Sequence, residues 1–168
     1  QQRQQQGRGA GSGADGLAAV PQAVAHFALD ALFERPVQAQ VVELLLLPQA
    51  DRQFTSCVLV HGMGGTGKTV TAVATIQETS IRQHFRSIYW LTVGADAIGE
   101  RIAELQAILY KQLAGKRLVG EEKGQHEQQA MLVQAMANKQ RALVVLDDPW
   151  TPEQVRFLNP IDGAHTDH

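Results

Sequence analysis

The sequence predicts an α/β fold, in which a parallel sheet carries helices on both faces. Three short apolar runs have the composition of strands buried on both sides, and they occupy residues 54–62, 87–93 and 142–146. Segments with the apolar spacing of helices separate these runs. Alternating strands and helices imply parallel strands joined by helical crossovers. A chain of 168 residues is the length of about one ordinary domain.

The helical segments are predicted from the spacing of their apolar residues. Pro36 suits a first helical position, and the helix that follows it ends before Pro48. A second helix is predicted over residues 70–81, and a fourth ends near Lys139. The third helix has apolar residues at helical spacing, namely Ile98, Ile102, Leu105, Ile108 and Leu109.

The composition excludes several classes of protein. Fifteen Lys and Arg against 17 Asp and Glu leave a formal charge of −2, which argues against a dedicated nucleic-acid binder. A single cysteine, Cys57, excludes a disulfide framework and a multi-cysteine zinc site. No apolar run approaches the roughly 18 residues of a membrane span, and the first residues lack the apolar segment of a signal peptide. We therefore expect a cytoplasmic protein without a membrane contact.

Three regions follow one another along the chain. Residues 1–16 contain five Gln and five Gly, which cannot form a packed core and predict a disordered tail. A Gln-rich segment that aggregates or contacts RNA is the alternative for this tail. Residues 17–53 are predicted to be a helical lead-in, and residues 54–168 to be the main α/β domain.

The strongest motif lies between the first predicted strand and the second predicted helix. Residues 62–69 match G-x-x-x-x-G-K-[ST], the pattern of a phosphate-binding loop (P-loop). Backbone N–H groups of such a glycine-rich turn form a concave anion site, and the following helix directs its positive end at it. Lys68 would reach the β- and γ-phosphates, and the Thr69 hydroxyl is a hard oxygen ligand for magnesium. The predicted nucleotide-binding residues here are Gly62, Met63, Gly64, Gly65, Thr66, Gly67, Lys68, Thr69 and Val70.

A pair of carboxylates follows the third predicted strand. Asp147 and Asp148 come directly after the apolar run of residues 142–146. Ligands of an open parallel sheet bind outside the carboxyl ends of its strands, so the pair would lie beside the P-loop if the two strands are neighbours. Asp147 would then hold magnesium with Thr69, and Asp148 would orient a water that attacks the γ-phosphate. Lys68 and Asp148 are therefore the predicted catalytic residues.

Three segments together resemble the NB-ARC family of signal-transduction ATPases. HGMGGTGKT, SIYWLTVG and ALVVLDDPW occur in the order of three consecutive motifs of that family, which includes plant disease-resistance proteins and the animal apoptotic protease-activating factor. The W-x-x-V-G pattern of residues 90–94 is similar to the animal protein. The resemblance implies an ADP/ATP switch with magnesium, used in apoptosis or defence. It also implies that Phe33 and Arg35 border the adenine base.

The sequence departs from the family in two respects. Pro149 stands where the family has an aliphatic residue, and proline ends the strand because it lacks an N–H group. The chain also stops at His168, before the family's γ-phosphate sensor strand and the subdomains that close over ADP. We therefore expect an incomplete P-loop NTPase sheet that binds nucleotide and hydrolyses ATP slowly at most. The edge left open by the incomplete sheet would be apolar and unpaired, which predicts self-association into a homo-oligomer. Protein partners would bind through flanking domains.

Two alternatives to a signalling switch remain open at this level. A P-loop alone does not distinguish a signalling switch from another P-loop phosphotransferase, or from a passive interaction module that binds ADP for stability.

Tyr89 and Trp90 are predicted to pack against the sheet rather than stack on a base. His61 is predicted to have a structural role.

Overall fold

The computed structural model describes residues 16–27, 36–47, 57–118 and 124–161. Phe33, Arg35, residues 1–15 of the predicted tail and residues 162–168 lie outside these ranges. Within them, every helix is too short or too polar to cross a membrane. The elements, in chain order, are a 3₁₀ turn at Gln22–Val24, α1 Pro36–Leu46, α2 Lys68–Gln77, α3 Thr79–His84, β1 Ser87–Thr92, α4 Glu100–Ala114, α5 Gln125–Ala137, β2 Ala142–Asp147 and α6 Pro152–Leu158.

The sheet consists of β1 and β2, which pair in parallel. The register runs from Ser87 opposite Ala142 to Thr92 opposite Asp147. Helices α4 and α5 form the crossover between the two strands, as parallel strands require. The pairing continues beyond the strands, since the Val93 N–H donates to the Asp147 carbonyl at 2.8 Å. The carboxyl ends of both strands therefore lie level with one another.

Helices cover both faces of the sheet and form two separate cores. Alternate residues of a strand point to opposite faces, so each strand contributes to both cores. The crossover core, on the side of α4, α5 and α6, contains Leu91, Val93, Ala97, Leu105, Leu109, Tyr110, Leu113, Leu132 and Leu158. The core on the other side contains Ala18, Val24, Val73, Ile76, Ile81, Phe85, Ile88 and Trp90. The predicted three-layer α/β/α arrangement, with an incomplete sheet, is confirmed.

Trp90 lies in the core formed with α2 and α3. Its side chain is 3% exposed, and its Nε1 donates to the Thr92 hydroxyl at 3.2 Å. A ring enclosed in this way has no free face for a nucleotide base. The prediction that Trp90 packs against the sheet is confirmed.

The first predicted strand is absent from the described residues. Residues 57–61 make no strand pairing, Leu59 is 70% exposed, and the Cys57 side chain is also exposed. A cleft separates this segment from β2. A buried strand needs ladder hydrogen bonds and close packing on both faces. This run makes no ladder hydrogen bonds, and Val58 and Val60 are only half-buried. The prediction of a buried strand in the run at residues 54–62 is therefore wrong for residues 57–61, while residues 54–56 lie outside the described ranges.

The predicted helix at residues 70–81 is two helices. Glu78, at φ −57° and ψ 132°, leaves the helical conformation between α2 and α3. The change of direction brings Ile81 and Phe85 into the core beneath β1. A second difference concerns Ile98, which precedes α4 and is 71% exposed. In both cases the helix boundary differs from the one that the spacing of apolar residues predicts.

The crossover core predicts unequal effects for two adjacent residues of α4. Leu109 is fully buried, whereas Ile108 is 44% exposed. We expect Leu109→Ala to lower the free energy of unfolding by about 2–5 kcal/mol, because it leaves a cavity. The matched control Ile108→Ala should cost less than about 1 kcal/mol. Urea denaturation followed by circular dichroism measures both, and equal losses would contradict the assignment of this core.

Candidate functional site

The P-loop connects the unpaired segment at residues 57–61 to α2. Gly65 and Gly67 have φ of 77° and 84°, in the left-handed region that glycine adopts at little cost. Gly67 immediately precedes α2, which begins at Lys68. The Thr66 hydroxyl donates to the Met63 carbonyl at 2.8 Å and closes the turn. The left-handed backbone of the turn therefore explains the glycines at positions 65 and 67.

The loop has the local features of an anion site. The first N–H groups of a helix have no partner within it, and α2 directs them at the loop. A Cβ built on Gly64 or Gly65 would meet no atom within 4 Å, so open space lies beside the loop. A phosphate group could occupy that space and accept from the backbone N–H groups.

Lys68 places its charge over the same loop. Its Nζ donates to the Gly62 carbonyl at 2.9 Å and to the Met63 carbonyl at 3.0 Å. These two bonds hold the ammonium group against the P-loop backbone. A phosphate oxygen is a stronger acceptor for this ammonium group than a neutral carbonyl, because it carries negative charge.

A hydrogen bond joins the P-loop to the end of β2. The Thr69 hydroxyl donates to Oδ1 of Asp147 at 2.8 Å, although the two residues are 78 positions apart. The geometry thus brings the predicted pair of magnesium ligands together. It does so although residues 57–61, before the P-loop, form no strand beside β2.

Burial raises the pKa of the Asp147 carboxyl above its ordinary value of 3.8. The hydrogen bond from Thr69 and the charge of Lys68 lower this pKa, whereas the charge of Asp148 raises it further. The first and largest of these causes is the removal of the carboxylate from water. A cation at this position would relieve that cost.

Asp148 is exposed at the rim of the cleft, and its backbone is unusual. Its φ is 58°, a left-handed value that few residues other than glycine, Asn and Asp adopt. Its carbonyl accepts from the Gly94 N–H at 3.1 Å. The turn directs the chain away from the sheet immediately after the second carboxylate.

The loop and the acid pair (Asp147 and Asp148) line one cleft of about 730 Å³, within the range of roughly 300–1,000 Å³ of small-molecule sites. Of the predicted residues, Met63, Thr66 and Val70 do not line it, and Met63 is 81% exposed. Phe33 and Arg35 lie outside the described residues. Those that line the cleft are Gly62, Gly64, Gly65, Gly67, Lys68, Thr69, Asp147 and Asp148.

Gln154, which was not among the predicted site residues, contacts the loops that follow both strands. Its Oε1 accepts from the Thr151 N–H at 3.1 Å, while its own N–H donates to the Thr151 hydroxyl at 3.2 Å. This reciprocal pair is a capping box at the start of α6, with Pro152 at the first helical position. The signal was present in the sequence as Thr-Pro-Glu-Gln.

Comparison with known proteins identifies the family. The profile of the NB-ARC domain matches residues 35–163. The chain belongs to the NB-ARC domain family. It is therefore a P-loop NTPase domain of a nucleotide-binding family, as the three sequence motifs predicted.

The relatives of this NB-ARC chain include plant disease resistance proteins. It is 32% identical to disease resistance protein RGA2 of Solanum bulbocastanum over 71% of its length, and 31% identical to disease resistance protein RPM1 of Arabidopsis thaliana over 68%. The putative disease resistance protein RGA1 of Solanum bulbocastanum is 26% identical over 71%. The aligned part is 12% of each of these relatives, so the chain spans about an eighth of their length. No solved structure gives a significant match.

The raised pKa of Asp147 predicts a stability change with pH. An acid with a raised pKa in the folded state contributes fully below its unfolded value, near 3.8, and loses that contribution as the pH rises through the folded value. Asn would remove the charge and keep an oxygen for Thr69. We therefore expect Asp147→Asn to melt at a higher temperature than the original chain at pH 7, with no gain below pH 3.8.

Thermal unfolding without nucleotide, measured between pH 3 and pH 8, checks this expectation. Asp96→Asn, at an exposed carboxylate after β1, is the matched control and should show no such gain. A gain for Asp147→Asn that is the same at every pH would show that the charge is not its cause.

Proposed function

We propose that this NB-ARC chain is the ADP/ATP-binding domain of a signalling switch ATPase in defence. The supporting observation is the 2.8 Å hydrogen bond between Thr69 and Asp147, which unites the P-loop with the acidic end of β2 beside one cleft. The names of the plant relatives support disease resistance as the pathway rather than apoptosis. The same proposal includes a cytoplasmic location, protein partners bound through neighbouring domains, and formation of a homo-oligomer.

The residues at the cleft fit magnesium together with a nucleotide. A hydroxyl and a carboxylate are the hard oxygen donors that magnesium prefers, and it usually retains several waters and takes phosphate oxygens as further ligands. Among the described residues there is no cluster of three or more His, Cys, Asp or Glu side chains that could hold a metal alone. Thr69 and Asp147 would therefore hold the ion jointly with the nucleotide. Bound magnesium would neutralise negative charge on the phosphates.

Slow hydrolysis is the reaction that these side chains could support. Lys68 would stabilise charge on the β- and γ-phosphates from its place over the P-loop. Asp148, exposed at the rim, would orient a water for attack on the γ-phosphate. Adenine would be bordered by Phe33 and Arg35, as the family resemblance implies.

A passive ADP-binding module is the second candidate, and one feature of the cleft favours it. Among the described residues, Lys68 is the one Lys or Arg that lines the cleft. With no second Lys or Arg side chain among these residues to contact the γ-phosphate, the affinities for ATP and ADP should lie within about tenfold of each other, or roughly 1.4 kcal/mol. Stoichiometric ADP after purification, with no turnover, would favour this candidate over the ATPase.

The P-loop assignment predicts that Lys68→Ala weakens nucleotide binding. A hydrogen bond to a charged group contributes about 1.5–3 kcal/mol, so we expect a loss of roughly tenfold to a hundredfold in affinity for magnesium-ATP. Isothermal titration calorimetry measures it. Lys111→Ala, at an exposed lysine of α4, is the control and should bind as the original chain does. Equal affinities for all three proteins would exclude the P-loop as the binding site.

The acid pair predicts two separable effects. Asp147→Ala should reduce the gain in ATP affinity that magnesium provides, while ADP binding in EDTA changes little. Asp148→Asn should keep binding nearly intact and lower hydrolysis, because Asn also tolerates the left-handed backbone. Calorimetry with and without magnesium, combined with a phosphate-release assay, compares them. Loss of binding in Asp148→Asn with no effect of Asp147→Ala would reverse the two roles.

A further inference from the structure

We propose that Gln154 is a positioning residue, which holds the acid pair in place by linking the loops that follow β1 and β2. The proposal rests on the proposed function, in which Asp147 holds magnesium and Asp148 orients water. Gln154 itself lies in α6 and does not line the cleft. It would act on the site only through the backbone that leads out of the two strands.

The side chain of Gln154 is 1% exposed and uses all four of its hydrogen-bonding positions. Its Oε1 accepts from the Trp150 N–H at 2.6 Å and from the Thr151 N–H at 3.1 Å. Its Nε2 donates to the carbonyls of Gly94 and Ala97, both at 3.0 Å. The acceptor half therefore contacts the chain after β2, and the donor half contacts the chain after β1.

These contacts close a ring around the backbone of Asp148. The Gly94 N–H donates to the Asp148 carbonyl at 3.1 Å, while the Gly94 carbonyl accepts from Gln154. Gln154 then binds the N–H of Trp150, two residues beyond Asp148. The ring thus runs from Asp148 to Gly94, to Gln154, to Trp150 and back along the chain.

The ring encloses the strained part of this turn. Asp148 has φ 58°, and a non-glycine residue in the left-handed region persists only where its surroundings hold it there. Gly94 is also left-handed, at φ 85°, and a Cβ at Gly94 would lie 3.1 Å from the Asp96 carboxylate. The carboxamide of Gln154 is the side-chain group that ties the two loops together.

Another buried glutamine shows that this bonding is specific to Gln154. Gln106 in α4 is fully buried and donates to the Gln125 and Phe157 carbonyls at 2.9 and 2.8 Å. Its Oε1 accepts no hydrogen bond among the described residues. Gln106 is bonded near the opposite end of α6, and among the described residues it makes no hydrogen bond to the loop after either strand. It therefore provides a matched control for losing a buried carboxamide from the same layer.

The test compares Gln154→Met with Gln106→Met in the full chain. Calorimetry gives the affinity for ATP in magnesium and in EDTA, and the ratio reports the contribution of magnesium. Removing a group that orients a metal ligand typically lowers metal affinity about tenfold to a hundredfold. We expect Gln154→Met to lower the ratio by about this factor, and Gln106→Met to leave it unchanged while also altering stability.

A second measurement does not depend on bound nucleotide. Hydrogen–deuterium exchange of the free protein reports the N–H groups of Gly94 and Trp150 within the ring. We expect faster exchange in peptides covering residues 93–98 and 147–151 for Gln154→Met, and no change there for Gln106→Met. Gln154→Glu keeps an acceptor for Trp150 and Thr151 but loses the donors to Gly94 and Ala97. Gln154→Glu should lower the ratio of ATP affinities in magnesium and in EDTA, as Gln154→Met does. It serves as the test if Gln154→Met does not fold.

The outcomes separate this inference from the proposed function. If the original chain shows no gain in ATP affinity with magnesium, the proposed function is wrong, and exchange alone decides whether Gln154 holds the turn. If the original chain shows the gain and Gln154→Met keeps it, with unchanged exchange at residues 147–151, Gln154 does not position the acid pair. A normal ratio in Gln154→Glu would show that the bonds to the loop after β1 are not needed.

Discussion

The parallel pairing of β1 with β2 determines where the groups of the site lie. Because Thr92 stands opposite Asp147, both strands end at the same level, and the loops that follow them emerge side by side. The ladder then continues through Val93 and Gly94, whose N–H groups donate to the carbonyls of Asp147 and Asp148. The backbone that carries each carboxylate is thereby hydrogen-bonded to the chain that continues β1. A shift of the register by one residue would move Asp147 to the other face of the sheet and away from Thr69.

Asp147 shows a conflict between stability and the proposed role. Its carboxylate is partly removed from water, and the neighbouring charge of Asp148 adds repulsion, so the folded chain holds the ionised form at a cost. The hydrogen bonds from Thr69 and from the Asp148 backbone, together with the charge of Lys68, offset only part of it. In the proposed function, magnesium bound with the nucleotide supplies the missing positive charge. Such a site makes the protein more stable when its ligand is bound, because the ligand binds the folded state alone.

The P-loop is held by its own contacts rather than by the sheet. Lys68 and Thr66 bond to carbonyls within the loop, and Gly67 leads directly into α2. The segment before it, residues 57–61, makes no strand pairing and borders the same cleft. The phosphate-binding geometry is therefore local, whereas the position of the loop relative to β2 depends on the packing of α2 against the sheet and on the hydrogen bond between Thr69 and Asp147.

The sequence by itself determined the features that depend on near neighbours in the chain. The glycines of residues 62–69 predicted the turn because left-handed backbone favours glycine, and the apolar runs predicted β1 and β2 because buried strands are apolar on both faces. Only the tertiary structure decided that Glu78 ends α2, that residues 57–61 lie unpaired, and that Gln154 joins the two strand exits. Thr69 and Asp147 likewise meet across 78 positions. These features depend on which distant side chains are buried together, and that packing is not encoded in any short stretch of the sequence.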